Sequence, residues 1–272
     1  MVILNAVLVL GGIGVVLGGL LAVAARVFSV PADERLEAVL DVLPGANCGG
    51  CGFAGCGAFA GAVVNGDGKT DGCPVGGQEA TEKICKIMGI ETTKNMRLTA
   101  LVKCSGGLRA RNKFEYAGIS DCTAAMKIGG GGPKECRYGC IGLGTCVAAC
   151  PFGAISIVED VAVVDHERCT GCQKCVVSCP KHIIIPVPYY ADVNVACSSV
   201  EKGGMLRKVC DIGCLGCRIC EKICRHDAIH IADNLASIDF EKCIGCGDCA
   251  EKCPRKLIVD AKLDRSPRVM NN

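Results

Sequence analysis

The chain has 272 residues, enough for two or three small domains, and its net charge of +2 excludes a strongly basic nucleic-acid-binding protein. It contains 25 cysteines but no tryptophan, and aromatic residues make up only 4%, which excludes a large aromatic core. Many cysteines lie two or three residues apart in groups of four. This spacing and the odd count favour metal sites over a disulfide scaffold, and thiols that bind metal imply a reducing compartment.

An uncharged apolar segment opens the chain and reaches Ala25. It is about as long as the roughly 20 residues that a helix needs to cross a bilayer, so we predict a membrane anchor over residues 1–29. Arg26 follows the apolar segment, which places the rest of the chain on the cytoplasmic side of the cell membrane. A cleaved signal peptide would normally begin with basic residues, and none precede this segment. Gly14 and Gly18, in G-x-x-x-G spacing, either contact a partner helix or reflect a glycine-rich composition.

A small cluster-binding domain is predicted over residues 30–90. Its cysteines are Cys48, Cys51, Cys56 and Cys73, the first three in a glycine-rich loop. Glycines let the backbone approach a cluster and point N–H groups at its sulfurs. Four cysteines also suit structural zinc, so the iron–sulfur interpretation depends on the cysteine groups that follow.

The clearest motif lies near the C-terminus, where Cys-x2-Cys-x2-Cys-x3-Cys occurs twice. This is the spacing of bacterial ferredoxins with two clusters, in which the fourth cysteine of each run binds the other cluster. Arg225 replaces the proline that usually follows such a run, which changes a turn but removes no ligand. The motif predicts two [4Fe–4S] ligand sets: Cys214, Cys217, Cys220 and Cys253; and Cys243, Cys246, Cys249 and Cys224.

A related pair of runs precedes this one, and one of its runs is incomplete. Leu143 stands at the position that corresponds to Cys217. Cys136, four residues before Cys140, is the nearest candidate for the missing ligand, and a three-cysteine [3Fe–4S] site is the alternative. The predicted sets are Cys136, Cys140, Cys146 and Cys179; and Cys169, Cys172, Cys175 and Cys150.

Two ferredoxin-like modules are therefore predicted in tandem, over residues 136–196 and 197–264. A connecting segment, 91–135, precedes them, and a polar tail, 265–272, follows. Short β-branched segments after the cysteine runs predict strands: residues 154–158, 161–164, 182–185, 228–231 and 257–259. The predicted fold is α+β, with one N-terminal transmembrane helix, a small [4Fe–4S] domain and two tandem dicluster ferredoxin-like modules.

Five cysteines remain outside these sets. Cys85 has no predicted role beyond that of a buried thiol. The others either form a sixth cluster or are buried structural thiols: Cys104, Cys122, Cys197 and Cys210. The segments Val-Lys-Cys104-Ser and Val-Ala-Cys197-Ser are similar, which suggests that the repeat extends upstream of each module.

Other cofactor chemistry has little support in the sequence. Rieske ligation needs two histidines per cluster, and full cysteine sets already exist, so the histidines are expected to be structural: His166, His182, His226 and His230. No G-x-G-x-x-G follows a predicted strand and there is no P-loop or catalytic triad, so neither a nicotinamide site nor a catalytic residue is predicted. The basic excess between Glu82 and Lys113 either docks an acidic electron carrier or forms a solvated surface.

The order of these features resembles the B-type subunit of the Rnf complex, a membrane-bound, ion-translocating ferredoxin:NAD oxidoreductase. The resemblance covers essentially the whole chain. It rests on the anchor, on the Cys-Gly-Gly-Cys-Gly-x-x-Gly-Cys segment from Cys48 to Cys56, and on the ferredoxin modules. The two tandem modules are similar to the long form of this subunit.

The resemblance implies an electron-transfer subunit that accepts electrons from soluble reduced ferredoxin. It implies relay through five [4Fe–4S] clusters, or six, within a complex that moves Na⁺ or H⁺ and reduces NAD⁺ on another subunit. Expected partners are other membrane and peripheral subunits, ferredoxin and membrane lipid, with no nucleic acid. Two alternatives are a ferredoxin-like anchor subunit of another membrane redox enzyme, such as a hydrogenase or dehydrogenase, and a zinc-stabilised scaffold. The Cys48–Cys73 site argues against the first of these.

Overall fold

The computed structural model describes residues 2–27, 33–128 and 130–260. Its first helix, α1 (Val2–Val27), has exposed side chains from Val7 to Val23. The window Val7–Ala24 is long and apolar enough to cross a membrane. Apolar surface of this extent calls for cover by lipid or by another protein. The predicted polar tail, 265–272, lies outside the described residues.

Three helices form a small core after the anchor: α2 (Glu34–Val42), α3 (Cys56–Asn65) and α4 (Gly77–Met88). Asp33 caps α2 by accepting a hydrogen bond from a backbone N–H of its first turn. Gly66, in the left-handed conformation with φ 82°, ends α3. Val39, Phe59 and Ile84 are at most 1% exposed at the centre of the core. The core supports the loop that carries the first cysteine group.

Two units of the same topology follow, which we call the first unit (residues 98–188) and the second unit (residues 193–260). Each has a strand, two short helices, a hairpin, a third helix and a final strand. The first unit contains β1 (Leu98–Val102), α5 (Cys122–Lys127), α6 (Thr145–Ala148), β2 (Ile155–Val158), β3 (Val161–Val164), α7 (Lys174–Ser178) and β4 (Ile184–Pro188), with a 3₁₀ turn at Gly107–Arg109. The second contains β5 (Val193–Val195), α8 (Gly203–Val209), α9 (Ile219–Ile223), β6 (Ile229–Ala232), β7 (Leu235–Ile238), α10 (Asp248–Lys252) and β8 (Ile258–Asp260).

Strand pairing closes each unit on itself. The first and last strands pair antiparallel, with Leu98 opposite Pro188 in one unit and Val193 opposite Asp260 in the other. The two middle strands form a hairpin. Its turn has two residues at positive φ, as a type I′ turn requires: Glu159 and Asp160 in the first unit, Asp233 and Asn234 in the second.

The α+β fold is confirmed, and five predicted strands appear as β2, β3, β4, β6 and β8. The prediction misses β1, β5 and β7. Strand β1 lies in the predicted connecting segment 91–135, yet it pairs with β4. Strand β5 lies in the predicted module 136–196, yet it pairs with β8 of the second unit. Because both partners are distant in sequence, no local pattern marks these pairings.

Candidate metal centres

The first cysteine group lies against the helical core: Cys48, Cys51, Cys56 and Cys73. The Cys56 N–H donates to Asn47 Oδ1 at 2.8 Å, which closes the loop, and the Gly76 N–H donates to Cys73 Sγ at 3.3 Å. Burial raises the pKa of Cys73 against the lowering effect of the Gly76 N–H, and the charges of Cys51 and Cys48 raise it further. Cys48, Cys51 and Cys73 are therefore neighbours, and Cys56 packs against the same core as Cys51 and Cys73.

Two cavities in the second unit are each lined by four cysteines. One cavity is lined by Cys214, Cys217, Cys220 and Cys253. The other is lined by Cys224, Cys243, Cys246 and Cys249. Most of the remaining lining comes from apolar side chains on or beside the strands of the unit. In both cavities the fourth cysteine comes from the other run, so the structure brings together the sets that the ferredoxin spacing predicts.

The first unit repeats this arrangement with one change. One cavity is lined by the predicted set of Cys150, Cys169, Cys172 and Cys175. The other is lined by Cys122, Cys140, Cys146 and Cys179. The spacing predicts Cys136 in that second set, and the structure places Cys122 there instead.

Helix α5 carries Cys122 to this cavity because it packs on the loop that contains Leu143. Ser120 Oγ donates to the Leu143 carbonyl at 3.3 Å, and the Cys122 N–H donates to Thr145 Oγ1 at 2.7 Å. Thr145 Oγ1 donates in turn to Asp121 Oδ2 at 2.8 Å, and Asp121 also caps α5. The helix thereby supplies a cysteine where Leu143 replaces the middle cysteine of the run.

Cys136 lies elsewhere, in the buried core around the second unit with Val195, Leu206 and Cys210. The predicted grouping of Cys136 with the Cys140 run therefore differs from the structure, and so does the grouping of Cys122 in a sixth site. Cys122 is far upstream of the run, outside any ligand spacing. The helix cap at Asp121 is the one local signal that could have drawn attention to it.

Burial and mutual repulsion dominate the electrostatics of the cavities. Burial raises the pKa of Cys146 and Cys249 to about 12, and that of Cys175 and Cys220 to about 11. These values include the repulsion of neighbouring thiolates, because like charges share each cavity. A cationic centre relieves this repulsion and keeps its thiol ligands deprotonated. Four thiols in an apolar pocket thus fit an iron–sulfur cluster, which supplies reversible one-electron chemistry when bound.

Zinc is the alternative occupant of a site with four cysteines. Zinc needs its sulfur ligands at about 2.3 Å from one centre. Within residues 2–27, 33–128 and 130–260, no group of three or more Cys, His, Asp or Glu side chains is arranged to hold one metal ion. Each cavity nevertheless gathers four cysteines, and in the second unit they follow the interlocked ferredoxin spacing, which favours a cluster over zinc.

Neighbouring sites adjoin one another. A Cβ on Gly50 would lie 2.8 Å from the Cys172 carbonyl oxygen, so the N-terminal loop contacts the first unit at one of its sites. Within the first unit, Cys175 of one cavity is among the charges that raise the pKa of Cys146 in the other. Within the second unit, Cys220 acts on Cys249 in the same way.

Two residues outside the predicted sets complete the description. His226, expected to be structural, lines the second-unit cavity that contains Cys224. Cys85 is fully buried, and its thiol donates to Thr70 Oγ1 at 3.3 Å. Its position agrees with the expected buried thiol.

Relatives match nearly the whole chain, and family models match three segments of it. Residues 43–75 match the family described as "Putative Fe-S cluster", and residues 135–183 and 213–257 match the 4Fe-4S dicluster domain. The chain is 47% identical to the B-type subunit of the Na(+)-translocating ferredoxin:NAD(+) oxidoreductase complex of Acetobacterium woodii, over 94% of this chain and 78% of the relative. It is 41% identical to the B-type subunit of the ion-translocating oxidoreductase complex of Methanosarcina acetivorans, over 94% of this chain and 98% of the relative. It is also 41% identical to the B-type subunit of the proton-translocating ferredoxin:NAD(+) oxidoreductase complex of Clostridium ljungdahlii, over 90% of this chain and 88% of the relative.

The fold, the cysteine-lined cavities and these matches define an iron–sulfur protein of the ferredoxin class that holds [4Fe–4S] clusters. Its similarity to the relatives extends over nearly its whole length, well beyond the ferredoxin domains. The chain belongs to the family of B-type subunits of ion-translocating oxidoreductase complexes, the Rnf family, as its motif order predicts. It is accordingly a membrane-associated electron-transfer subunit of a multi-subunit oxidoreductase.

Proposed function

We propose that this chain relays electrons, one at a time, from soluble reduced ferredoxin toward the subunit of its complex that reduces NAD⁺. Two relatives are named as ferredoxin:NAD(+) oxidoreductase subunits, one Na(+)-translocating and one proton-translocating. The observation that carries the proposal is the presence of four cavities, each lined by four cysteines and otherwise mainly by apolar side chains.

Five [4Fe–4S] clusters are proposed on the five cysteine groups. The ligand sets follow the cavities, so Cys122 takes the position predicted for Cys136. The sets are Cys48, Cys51, Cys56 and Cys73; Cys150, Cys169, Cys172 and Cys175; Cys122, Cys140, Cys146 and Cys179; Cys214, Cys217, Cys220 and Cys253; and Cys224, Cys243, Cys246 and Cys249.

The chain's own groups tune these sites through backbone hydrogen bonds and burial. The Ala154 N–H donates to Cys150 Sγ and the Ala228 N–H donates to Cys224 Sγ, both at 3.4 Å and at equivalent positions of the two units. Such bonds favour a sulfur that carries negative charge. Hydrogen bonds and restricted solvent access together set cluster potentials, so these features adjust how readily each site accepts an electron.

Exposure suggests where electrons enter. Cys217 and Cys246 of the second unit are exposed, which makes this unit accessible to a soluble donor. The N-terminal cysteine group follows α1 in the chain, so among the proposed sites it is the nearest to the anchor in sequence. We place α1 in the lipid bilayer and the cluster-binding part, which begins near residue 30, on the cytoplasmic side because Arg26 directly follows the apolar segment.

The proposal is tested in the purified complex by ferredoxin-dependent reduction of NAD⁺. Cys51→Ala removes a ligand from the N-terminal site and should abolish this activity. Cys85→Ala removes a buried thiol outside the proposed ligand sets and should preserve it. Subunit composition is checked in both variants. A Cys51→Ala complex with all its subunits and wild-type activity would overturn the proposed relay through this site.

A further inference from the structure

Each cysteine cavity of the two units contains one cysteine from the other run, and the residue two positions after that cysteine lines the same cavity. These four residues are Phe152, Lys181, His226 and Arg255. The cavities that contain Cys140 and Cys214 therefore have a lysine or an arginine at this position. The cavities that contain Cys169 and Cys243 have a phenylalanine or a histidine. Both units thus repeat the same alternation of a charged and an uncharged or titratable residue.

The other lining residues strengthen this contrast. Among the described residues that line the Cys140 and Cys214 cavities, the charged side chains are Lys181 and Arg255. Lys174 lines the Cys169 cavity, but it is exposed, so solvent and salt screen its charge. Asp248 brings a carboxylate to the Cys243 cavity. The histidine of that cavity is of a residue type that is not charged throughout the physiological pH range.

Lys181 is held against its cavity by the loop that follows α5. Its Nζ donates to the Gly131 carbonyl at 2.8 Å and to the Arg137 carbonyl at 2.9 Å. Burial lowers the pKa of Lys181, as does a neighbouring lysine, whereas the thiolates of Cys136 and Cys179 raise it. The ammonium group therefore lies close enough to Cys179, a proposed ligand, to interact with its charge.

Arg255 is fixed in a similar way at the equivalent position of the second unit. Its Nη2 donates to the Cys210 carbonyl at 2.9 Å. Its Nε is buried and has no hydrogen-bond partner among the residues that the structure describes. A buried N–H without a partner is costly, and an anionic group in the adjoining cavity can supply one. Neither Arg255 nor Lys181 forms an ion pair with a carboxylate in the described ranges.

Both cations are attached to segments that meet where the two units touch. Ala110 of the first unit forms a β-bridge with Cys210 of the second. Arg255 is bonded to Cys210 itself, and Lys181 is bonded to the residue after Cys136. Burial and the charges of neighbouring thiolates, Cys210 among them, raise the pKa of Cys136 to about 11, so the two points of attachment are close. We call the Cys140 and Cys214 cavities the inner sites and the Cys169 and Cys243 cavities the outer sites.

We propose that Lys181 and Arg255 set the reduction potentials of the inner sites above those of the outer sites, so that electrons reside longest on the inner pair. The inference rests on the proposed function and deepens it, because it assigns two positioning residues to the same relay. A fixed positive charge stabilises the reduced state, which carries one more negative charge, and thereby raises the potential.

The arrangement places two electron-holding sites next to each other in the middle of the relay. Each inner site takes one electron from a reduced neighbour and gives the same electron to an oxidised one, so no other oxidant or reductant is required. Lys181 and Arg255 keep their protons throughout. The inner pair can hold two electrons, the number that transfer of one hydride to NAD⁺ consumes.

Redox titration followed by EPR tests the inference on full-length protein purified without oxygen. In the wild type, two clusters should be reduced early, at a higher potential than those of the outer sites. Lys181→Gln and Arg255→Gln should each affect a different one of these two clusters. The ratio of reduced to oxidised cluster at a given potential should fall about fivefold, a shift of roughly 40 mV for a one-electron couple. Lys181→Arg and Arg255→Lys keep the charge and should keep the wild-type potentials.

His226→Lys tests the same inference in the opposite direction. It places a fixed cation at the equivalent position of an outer site, and His226 is exposed, so the substitution should not disturb folding. The potential of one late-reduced cluster should rise. This variant decides the matter if the glutamine variants fail to fold.

The outcomes separate this inference from the proposed function. Glutamine variants that retain every wild-type potential, or arginine and lysine replacements that shift the potentials as much as glutamine does, would overturn the inference. A chain that reduced ferredoxin reduces but whose potentials do not respond to these charges would leave the relay intact. A chain whose potentials respond in a titration with dithionite, but which ferredoxin does not reduce, would overturn the proposed donor and support the role of the two cations.

Discussion

The cavity that contains Cys122 yields a specific prediction, because the structure places Cys122 there where the spacing predicts Cys136. Cys122→Ala leaves Cys140, Cys146 and Cys179 on that cavity. A cubane with three thiolate ligands readily loses its unprotected iron, so about one iron of four should be lost at this site. Cys122 is 8% exposed, and removing one buried sulfur should cost about 1 kcal/mol. That is small beside the roughly 5–15 kcal/mol stability of a domain, so the variant should fold.

Leu143→Cys should restore the missing ligand in the Cys122→Ala chain. Leu143 occupies the position of Cys217 in the second unit and packs against the group that contains Cys122 and Ile141. EPR of the oxidised protein is the assay: a three-iron signal should appear in Cys122→Ala and disappear in the double variant. Leu143→Cys should not rescue Cys136→Ala, because Cys136 lies in the buried core around the second unit and not in the Cys140 cavity.

The opposite result would refute the reasoning. If Leu143→Cys rescues Cys136→Ala and leaves Cys122→Ala unchanged, Cys136 belongs to the Cys140 cluster as the spacing predicts. Normal iron content in Cys122→Ala, without a three-iron signal, would also show that Cys122 is no ligand.

Three further predictions concern pH, potential and stability. Burial raises the folded-state pKa of Cys146 and Cys249 to about 12, above the value of about 9 that a thiol has in the unfolded chain. Metal-free protein should therefore lose stability as pH rises above about 9. The loss should be up to roughly 1.4 kcal/mol per pH unit for each thiol. Thermal unfolding tests this, and a cluster-loaded chain with the same pH dependence would contradict it. Arg255 lines the cavity that contains Cys214, so Arg255→Gln should lower the potential of the cluster proposed there by roughly 40 mV, from the loss of about 1 kcal/mol of charge interaction. Redox titration followed by EPR measures this, and unchanged potentials would contradict it. Ile84 is fully buried, so Ile84→Ala should destabilise the helical core by about 2–5 kcal/mol in denaturant unfolding. Ile90 is 52% exposed, so the control Ile90→Ala should change stability by less than about 0.5 kcal/mol. Equal effects of the two substitutions would argue against the described core.

Local spacing predicts the second unit well because both of its cavities follow the two cysteine runs closely. In each cavity, three cysteines come from one run and the fourth comes from the other run, a pattern that the sequence displays directly. The strands after the runs are also predicted because β-branched residues concentrate there.

Tertiary packing determines the positions of residues and strands that the cysteine spacing does not predict. Cys122 reaches its cavity through the contacts of α5 with the Leu143 loop, and those contacts depend on Ser120, Asp121 and Thr145. Strands β1 and β5 find partners at the far ends of their units.

The electron relay is tested most directly by titrating purified full-length protein with reduced ferredoxin in the absence of oxygen. The expected result is bleaching of the cluster absorption as the chain takes up about one electron per cubane. NADH should produce no such bleaching, because no nicotinamide site is predicted on this chain. A chain that holds its full iron and sulfide but takes no electrons from reduced ferredoxin would contradict the account.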